Sequence, residues 1–261
     1  MSFKDHWLET QARKRSLLCV GIDAAEAQQR SQGHVPSGLS KEAWTLRIIE
    51  QVAPYAAAIK LNRNYYKDLS REAMRTLTDS IHHHDMLAID DCKLADIGET
   101  NDAGIYHTAS EGFDALTYAP FPGNTQQAAA QAKHHKVGLI ALVLMSNPEF
   151  QTMKTARVGD KPFYMYLAEE TARAAVEGIV IGAPSAGNHI TIDEIAAVAR
   201  LHPSTLVLVP GIGAQGGEIG PILQHFGSRT IANVGRAIIY ADNPAVMAAQ
   251  YRDQLAASWK G

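Results

Sequence analysis

Six residues, Asp91-Cys92-Lys93-Leu94-Ala95-Asp96, set one ammonium among carboxylates. Side chains alternate along a strand, so within the apolar run Met86–Lys93 (MLAIDDCK) Asp91 and Lys93 point to the same side. Asp96 falls in the loop that follows, close enough to fold back on Lys93. Lys60, late in the run Ala57–Asn62, and Asp23, closing the run Ser16–Asp23, can face the same mouth. Burying a charge is costly unless it is paired, so charged residues gathered at strand ends are hard to explain as core. They form either an ion-pair network that closes one end of the fold or a reactive site. A lysine flanked by carboxylates keeps its proton, because nearby opposite charge favours the ammonium. Opposite unit charges about 4 Å apart attract by roughly 4 kcal/mol at an effective dielectric near 20. Lys93 is therefore suited to stabilising a developing anion and then donating a proton to it. It is poorly suited to Schiff-base formation, which needs a neutral amine.

A second group of residues could hold an anion. Pro210–Gly217 (PGIGAQGG) is a glycine-rich turn that exposes backbone N–H groups. Gln215 within it can donate from its amide. Asn233-Val234-Gly235-Arg236 ends on a guanidinium that can grip phosphate with two hydrogen bonds. Turns also use glycine, so the loop alone is weak. Two such elements on successive strands, one ending in arginine, are a stronger signal.

The elements that must carry these groups recur regularly. Further apolar runs are Ala115–Pro120, Gly138–Met145, Gly178–Pro184, Thr205–Ile212 and Arg229–Arg236. Helical segments lie between them: Met74, Leu77 and Ile81 share one face, and Thr191-Ile-Asp-Glu194 is a capping box. Asn243-Pro244 reads as a cap followed by proline at the first helical position. Eight strands, each followed by a helix, predict an α/β fold, a (β/α)8 TIM barrel forming a single domain over residues 1–261; the rival is an open doubly wound sheet. Barrel active sites sit at the C-terminal strand ends, and loops after strands 7 and 8 often bind phosphate. Both groups of residues fall there. Residues 1–14 read as an extra helix under the barrel. Ala24–Gly38 and Asn147–Lys161 read as long loops, the second possessing the composition of a mobile one.

The bulk numbers agree. A chain of 261 residues with 46% apolar and 20% charged residues can bury a large core. A formal charge of −3 gives no global attraction to nucleic acid or membrane. Two cysteines, Cys19 and Cys92, cannot make a disulfide framework and read as buried thiols. The charged start lacks the apolar stretch of a signal peptide, and no run is long enough to span a membrane, which predicts a cytoplasmic protein. His82-His83-His84 and His134-His135 read as solvated helix ends rather than metal ligands. Trp7, Trp44 and Trp259 read as packing residues.

The assembled motifs resemble the orotidine 5′-monophosphate decarboxylase family. The resemblance runs from about Leu18 to Asn243. Asp91-Cys-Lys93-Leu-Ala-Asp96-Ile97-Gly-Glu-Thr100 matches its D-x-K-x-x-D-I signature, and Met145-Ser146-Asn147-Pro148, Pro210–Gly217 and Val234-Gly235-Arg236 follow in the family's order. The resemblance implies decarboxylation of orotidine 5′-monophosphate to uridine 5′-monophosphate, a step of pyrimidine biosynthesis, without metal or other cofactor. Asp23 and Lys60 would hold the ribose hydroxyls, Asp91 would face the substrate carboxylate, and Lys93 would protonate C6. Ser146 would hydrogen-bond the pyrimidine, and Gln215, Gly235 and Arg236 the phosphate. Ile97 and Pro210 join the substrate-binding set. Asp96 and Thr100 would reach the active site of a neighbouring subunit, which implies a homodimer.

A related group of keto-sugar-phosphate decarboxylases and synthases shares the D-x-K-x-x-D barrel but uses magnesium. It resembles a pattern with a glutamate where this chain has Lys60, and a lysine there argues against a metal. A barrel that binds nucleotide without turning it over is a further alternative, opposed by the intact Asp91, Lys93 and Asp96. Departures from the family pattern at Tyr118–Gly123 and Leu61–Tyr65 bear on the ring and ribose contacts.

Overall fold

The computed structural model describes residues 1–213 and 217–259. The apolar runs form strands β1 (Leu18–Ile22), β2 (Ala58–Asn62), β3 (Leu87–Leu94), β4 (Ala115–Tyr118) and β5 (Gly138–Leu144). After a two-residue ribbon, β6 (Arg157–Val158) and β7 (Lys161–Pro162), come β8 (Gly178–Ile181), β9 (Leu206–Val209) and β10 (Thr230–Val234). Among the described residues, eight of these close a barrel in the order β1-β10-β9-β8-β5-β4-β3-β2. Every pairing in it is parallel. Closure decides against the open sheet. A parallel barrel is covered on both faces, which is why strands such as GLIALVL are apolar throughout.

The helices are α1 (Phe3–Lys14), α2 (Lys41–Val52), α3 (Arg71–His83), α4 (Gly98–Ser110), α5 (Thr125–His134), α6 (Phe150–Thr155), α7 (Phe163–Arg173), α8 (Ile192–Leu201), α9 (Gly220–Phe226), α10 (Arg236–Ile239) and α11 (Pro244–Ser258). Their boundaries follow local chemistry. Ser40 and Ser70 cap α2 and α3, Thr191 and Glu194 form the expected capping box on α8, and Asn243 caps α11 ahead of Pro244. Met74, Leu77 and Ile81 are buried on one face of α3, in the cluster that holds Trp44 and Ile48 of α2.

Helix α1 lies under the barrel, as its sequence predicts. Phe3 and Trp7 are buried with the inward residues Cys19, Ala58, Leu87 and Ala115. The Trp7 indole N–H donates to the Ser228 carbonyl at 3.0 Å. Trp44 is buried too, and Trp259 packs half-buried against the same interior cluster as Trp7.

One expectation needs correction. Asn147–Lys161 is not a plain loop: it folds into α6 and the start of the β6–β7 ribbon. The buried Lys154 ammonium pins α6 by pairing with Glu194 of the α8 capping box at 2.7 Å and with the His189 carbonyl. The segment 24–38, in contrast, contains no helix or strand.

Candidate active site

The inward alternation of β2 and β3 brings Lys60 and Asp91 together near the C-terminal end of the barrel. Asp91 accepts a hydrogen bond from Lys60 Nζ on Oδ2 and one from Lys93 Nζ on Oδ1, the latter at 2.6 Å. Thr117, inward on β4, adds a third link. Its hydroxyl donates to Asp91 Oδ1 at 3.0 Å and accepts from the Lys93 backbone N–H at 2.9 Å. Lys60 is 6% exposed and Asp91 7%, whereas the Lys93 side chain is 48% exposed and projects into open space. Burial opposes charge on Lys60, but Asp91 and Asp23 outweigh it and hold its pKa above the ordinary value. Burial likewise opposes ionisation of Asp91, yet the two lysines outweigh it and hold its carboxyl well below the usual range. The Asp91 carboxylate thus bridges the two lysines, with Lys60 held charged beneath it.

Lys93 owes its direction to an irregular backbone. The β3–β4 register shifts between Asp90 and Leu94, and Lys93 has φ 49°, in the left-handed region a lysine seldom enters. Such conformations persist where surroundings over-determine them, and they gather at functional sites.

Two cavities meet at this cluster. One of about 330 Å³ is lined by Asp23, Arg30, Asn62, Gly235 and Arg236. The other, of about 190 Å³, is lined by Lys93, Thr117 and Ser146 and walled by Leu142, Val180 and Leu208. Lys60, Asp91 and Pro210 border both. The first is a polar chamber, the second a smaller one with apolar walls into which Lys93 reaches. Gly211 and Gly213 take φ 95° and 83°, conformations that favour glycine. Gly235 lies so close to β1 that a Cβ there would stand 3.1 Å from the Gly21 carbonyl oxygen. Gln215 lies outside the described residues.

The structure therefore brings together Asp23, Lys60, Asp91, Lys93, Ser146, Pro210, Gly235 and Arg236. It does not bring Asp96, Ile97 or Thr100 to them. The expectation that Asp96 folds back on Lys93 within the chain is wrong: Asp96 is exposed, and its Oδ1 accepts from the Ile97 N–H at 2.8 Å. The reason is that β3 runs on to Leu94, paired with Tyr118, and carries Asp96 past the rim. Ile97 is 63% exposed and Thr100 is exposed on the first turn of α4.

Two site residues escape the sequence. Thr117 sits unremarked in an apolar strand, although alternation from Ala115 already turns it inward. Arg30 comes from the segment after β1. Its Nη2 donates to the Tyr65 hydroxyl at 2.6 Å and lies 3.5 Å from Asp23 Oδ2. The guanidinium also rests over the Tyr65 ring, 5.0 Å from its centroid. Among the described residues no group of three or more His, Cys, Asp or Glu could hold a metal ion. His82 and His135 pair with Asp114 and Asp102 instead.

Comparison with known proteins converges on one family. Residues 16–251 match the model of the orotidine 5′-phosphate decarboxylase / HUMPS family. An orotidine 5′-phosphate decarboxylase of Thermomicrobium roseum is 30% identical over 97% of this chain and 92% of its own. One from Dehalococcoides mccartyi is 28% identical over 92% and 90%. The solved structure of Leishmania donovani OMP decarboxylase, 25% identical, covers 99% of this chain and 98% of its own with a TM-score of 0.79. A Toxoplasma gondii chain at 23% identity reaches a TM-score of 0.84 over 97% and 96%, a likeness that speaks for the fold alone. With the family model spanning most of the chain, and with the D-x-K-x-x-D-I segment seated at the mouth of a closed barrel, this chain belongs to the orotidine 5′-phosphate decarboxylase / HUMPS family.

Proposed function

We propose that the chain is an orotidine 5′-phosphate decarboxylase, a carboxy-lyase of pyrimidine biosynthesis that forms uridine 5′-monophosphate and carbon dioxide. The observation that carries this reading is Lys93, held by Asp91 and Thr117 and projecting into the apolar-walled chamber. Arg30, Lys60, Lys93 and Arg236 outnumber the carboxylates of Asp23 and Asp91 along the two cavities. That surplus of positive charge suits a substrate bearing both a phosphate and a carboxylate.

The two chambers support roles for the described residues, and Gln215 takes the one that the family resemblance implies. Arg236, the N–H of Gly235 and Gln215 bind the phosphate; Asp23 and Lys60 bind the ribose hydroxyls. Pro210 separates the sugar from the ring, and Ser146 hydrogen-bonds the pyrimidine. The C6–carboxylate bond breaks, carbon dioxide leaves, and the electron pair stays on C6 in the plane of the ring, where the π-system cannot delocalise it. Lys93 Nζ stabilises that pair and transfers its proton to C6; solvent then reprotonates the amine. Asp91 holds the ammonium in place. Contacts to the remote phosphate favour this step by closing the site around the substrate. The reading needs no metal: where the magnesium-dependent keto-sugar-phosphate relatives resemble a pattern with a glutamate, this chain has Lys60, whose ammonium donates to Asp91.

Asp96, Ile97 and Thr100 stand exposed beside the mouth, which fits a homodimer in which each subunit completes its partner's site. Mixing inactive Lys93→Ala and Asp96→Ala proteins would then regenerate intact sites. Random pairing in a two-fold dimer would return about a quarter of wild-type activity; no recovery would count against shared sites. A cytoplasmic setting and one domain over the whole chain fit the same reading. Among the described residues no helix is long and apolar enough to cross a membrane.

The test is to follow the ultraviolet band of orotidine 5′-monophosphate with EDTA-treated protein. Rapid conversion to uridine 5′-monophosphate is expected. No reaction, with turnover only on magnesium and a keto-sugar phosphate, would transfer the chain to the metal-dependent branch of its family.

A further inference from the structure

The acid next to Asp91 has a separate set of partners. Alternation turns Asp90 outward from the barrel, where it is 1% exposed. Arg63 opens the 3-10 turn Arg63–Tyr65 directly after β2, and its Nη2 donates to Asp90 Oδ2 at 2.9 Å and also to Glu111 at the end of α4. Thr108 of α4 donates to the same Asp90 oxygen at 2.9 Å. The guanidinium lies over the Phe113 ring, 5.5 Å from its centroid. Burial opposes charge on Arg63, but Asp90 and Glu111 outweigh it and keep it cationic.

Strands β2 and β3 are therefore joined by charge on both faces. Lys60 and Asp91 meet inside the barrel; Arg63, just past the end of β2, and Asp90, one residue before Asp91, meet outside it. Immediately beyond Asp90 the β3–β4 ladder loses register and Lys93 adopts its left-handed backbone. The side chain before the irregular turn is thus anchored from outside to two elements, the 3-10 turn and α4, while the turn itself is held from inside through Asp91 and Thr117. A side chain whose backbone departs from the ladder depends on the fixed points before it, here Asp91 from inside the barrel and Asp90 from outside.

We propose that Asp90, together with Arg63, is a positioning group for Lys93: the outer ion pair fixes the point from which the irregular end of β3 directs Lys93 Nζ toward the reacting carbon. Neither residue touches the substrate. The proposal rests on the decarboxylase reading above, and its failure is separable from the failure of that reading.

The test uses full-length Asp90→Asn protein and two nucleotides. Uridine 5′-monophosphate has only hydrogen at C6. Ionised 6-hydroxyuridine 5′-monophosphate places negative charge beside Lys93, where the carbanion forms. Displacing Nζ by a fraction of an ångström to an ångström is expected to lower kcat about 10–100-fold. Affinity for the 6-oxyanion nucleotide falls similarly, while KM and affinity for uridine 5′-monophosphate stay within about twofold. Equal weakening of both nucleotides, or no change in either with an active wild type, overturns the positioning role. A wild type without decarboxylase activity overturns the underlying reading instead. Should Asp90→Asn fold poorly, Thr108→Val removes one bond to the same oxygen, and the same selective loss, smaller in size, is required of it.

Discussion

The two ends of one barrel use the same inward positions for opposite purposes. At the N-terminal end Cys19, Ala58, Leu87 and Ala115 close over Phe3 and Trp7, and the layer is apolar and buried. A few residues along the same strands the inward positions become Gly21, Lys60, Asp91 and Thr117. A Cβ at Gly21 would stand 2.8 Å from the side-chain oxygen of Asn233, so that small residue leaves room for a polar lining. Trp7 contributes dispersion and hydrophobic area in a layer that excludes water. The upper layer places charges in a buried setting, which is stabilising only while each is paired. One end is built for stability and the other for chemistry. Substitutions should separate the two.

The largest effect is expected from Lys93→Ala. Removing the proton donor lowers turnover of orotidine 5′-monophosphate by about 10⁴-fold or more, the upper range for one acid–base group. Its ammonium is half exposed, so the melting temperature should move little. Steady-state rates and a thermal melt on the same preparation check both halves. Wild-type turnover would remove Lys93 from its role, and a collapsed melt would show that the upper layer also carries stability.

Trp7→Ala is the converse. Emptying a fully buried indole costs about 3–5 kcal/mol, which lowers the melting temperature by roughly 10 °C in a chain of this size. At a temperature where the variant is folded, kcat and KM should match the wild type. A large loss of kcat in folded protein would break the division between the ends.

The division is largely visible in the residue order, and the places where it is not have physical reasons. Aliphatic runs of strand length mark all eight barrel strands, and α1 is recognisable as an extra helix. Asp91, Lys93 and Lys60 stand out because charge in an apolar strand demands partners. Thr117 does not, since a threonine fits any strand and its meaning depends on which residue of β3 lies opposite. Arg30 acts at a distance from Asp23 that only the path of its segment determines. Asp90 reads as a second copy of Asp91 until alternation and the position of Arg63 assign it to the outer face. The α6 turn and the β6–β7 ribbon are too short for periodicity to reveal. Asp96 illustrates the limit of proximity along the chain: two residues past the end of β3 it is already exposed and away from the Lys60–Asp91–Lys93 cluster.

Within the upper end, Arg236→Ala should show a smaller and more selective effect. Loss of charge-assisted hydrogen bonds of about 1.5–3 kcal/mol weakens uridine 5′-monophosphate binding about 10–100-fold and leaves uridine binding unchanged. Isothermal titration with both ligands decides it, and equal losses would count against the phosphate role.

The smallest effect belongs to the lower rim. His82 Nε2 lies 2.9 Å from Asp114 Oδ2, and the same carboxylate oxygen accepts the Ala88 N–H at 2.7 Å. The hydrogen bond that His82 donates to Asp114 raises the His82 pKa against the opposing effect of burial. A raised histidine pKa in the folded state means that the stabilisation is complete below the unfolded value of about 6.5 and is lost as pH rises through the folded value. The imidazole is 39% exposed, so solvent screening limits the pair to about 0.5 kcal/mol, or 1–2 °C in melting temperature. His82→Gln should therefore melt below wild type at pH 5.5 and coincide with it near pH 8.5, with decarboxylation unaltered at both. A gap that is independent of pH would mean that packing, rather than charge, is what His82 adds to that end of the barrel.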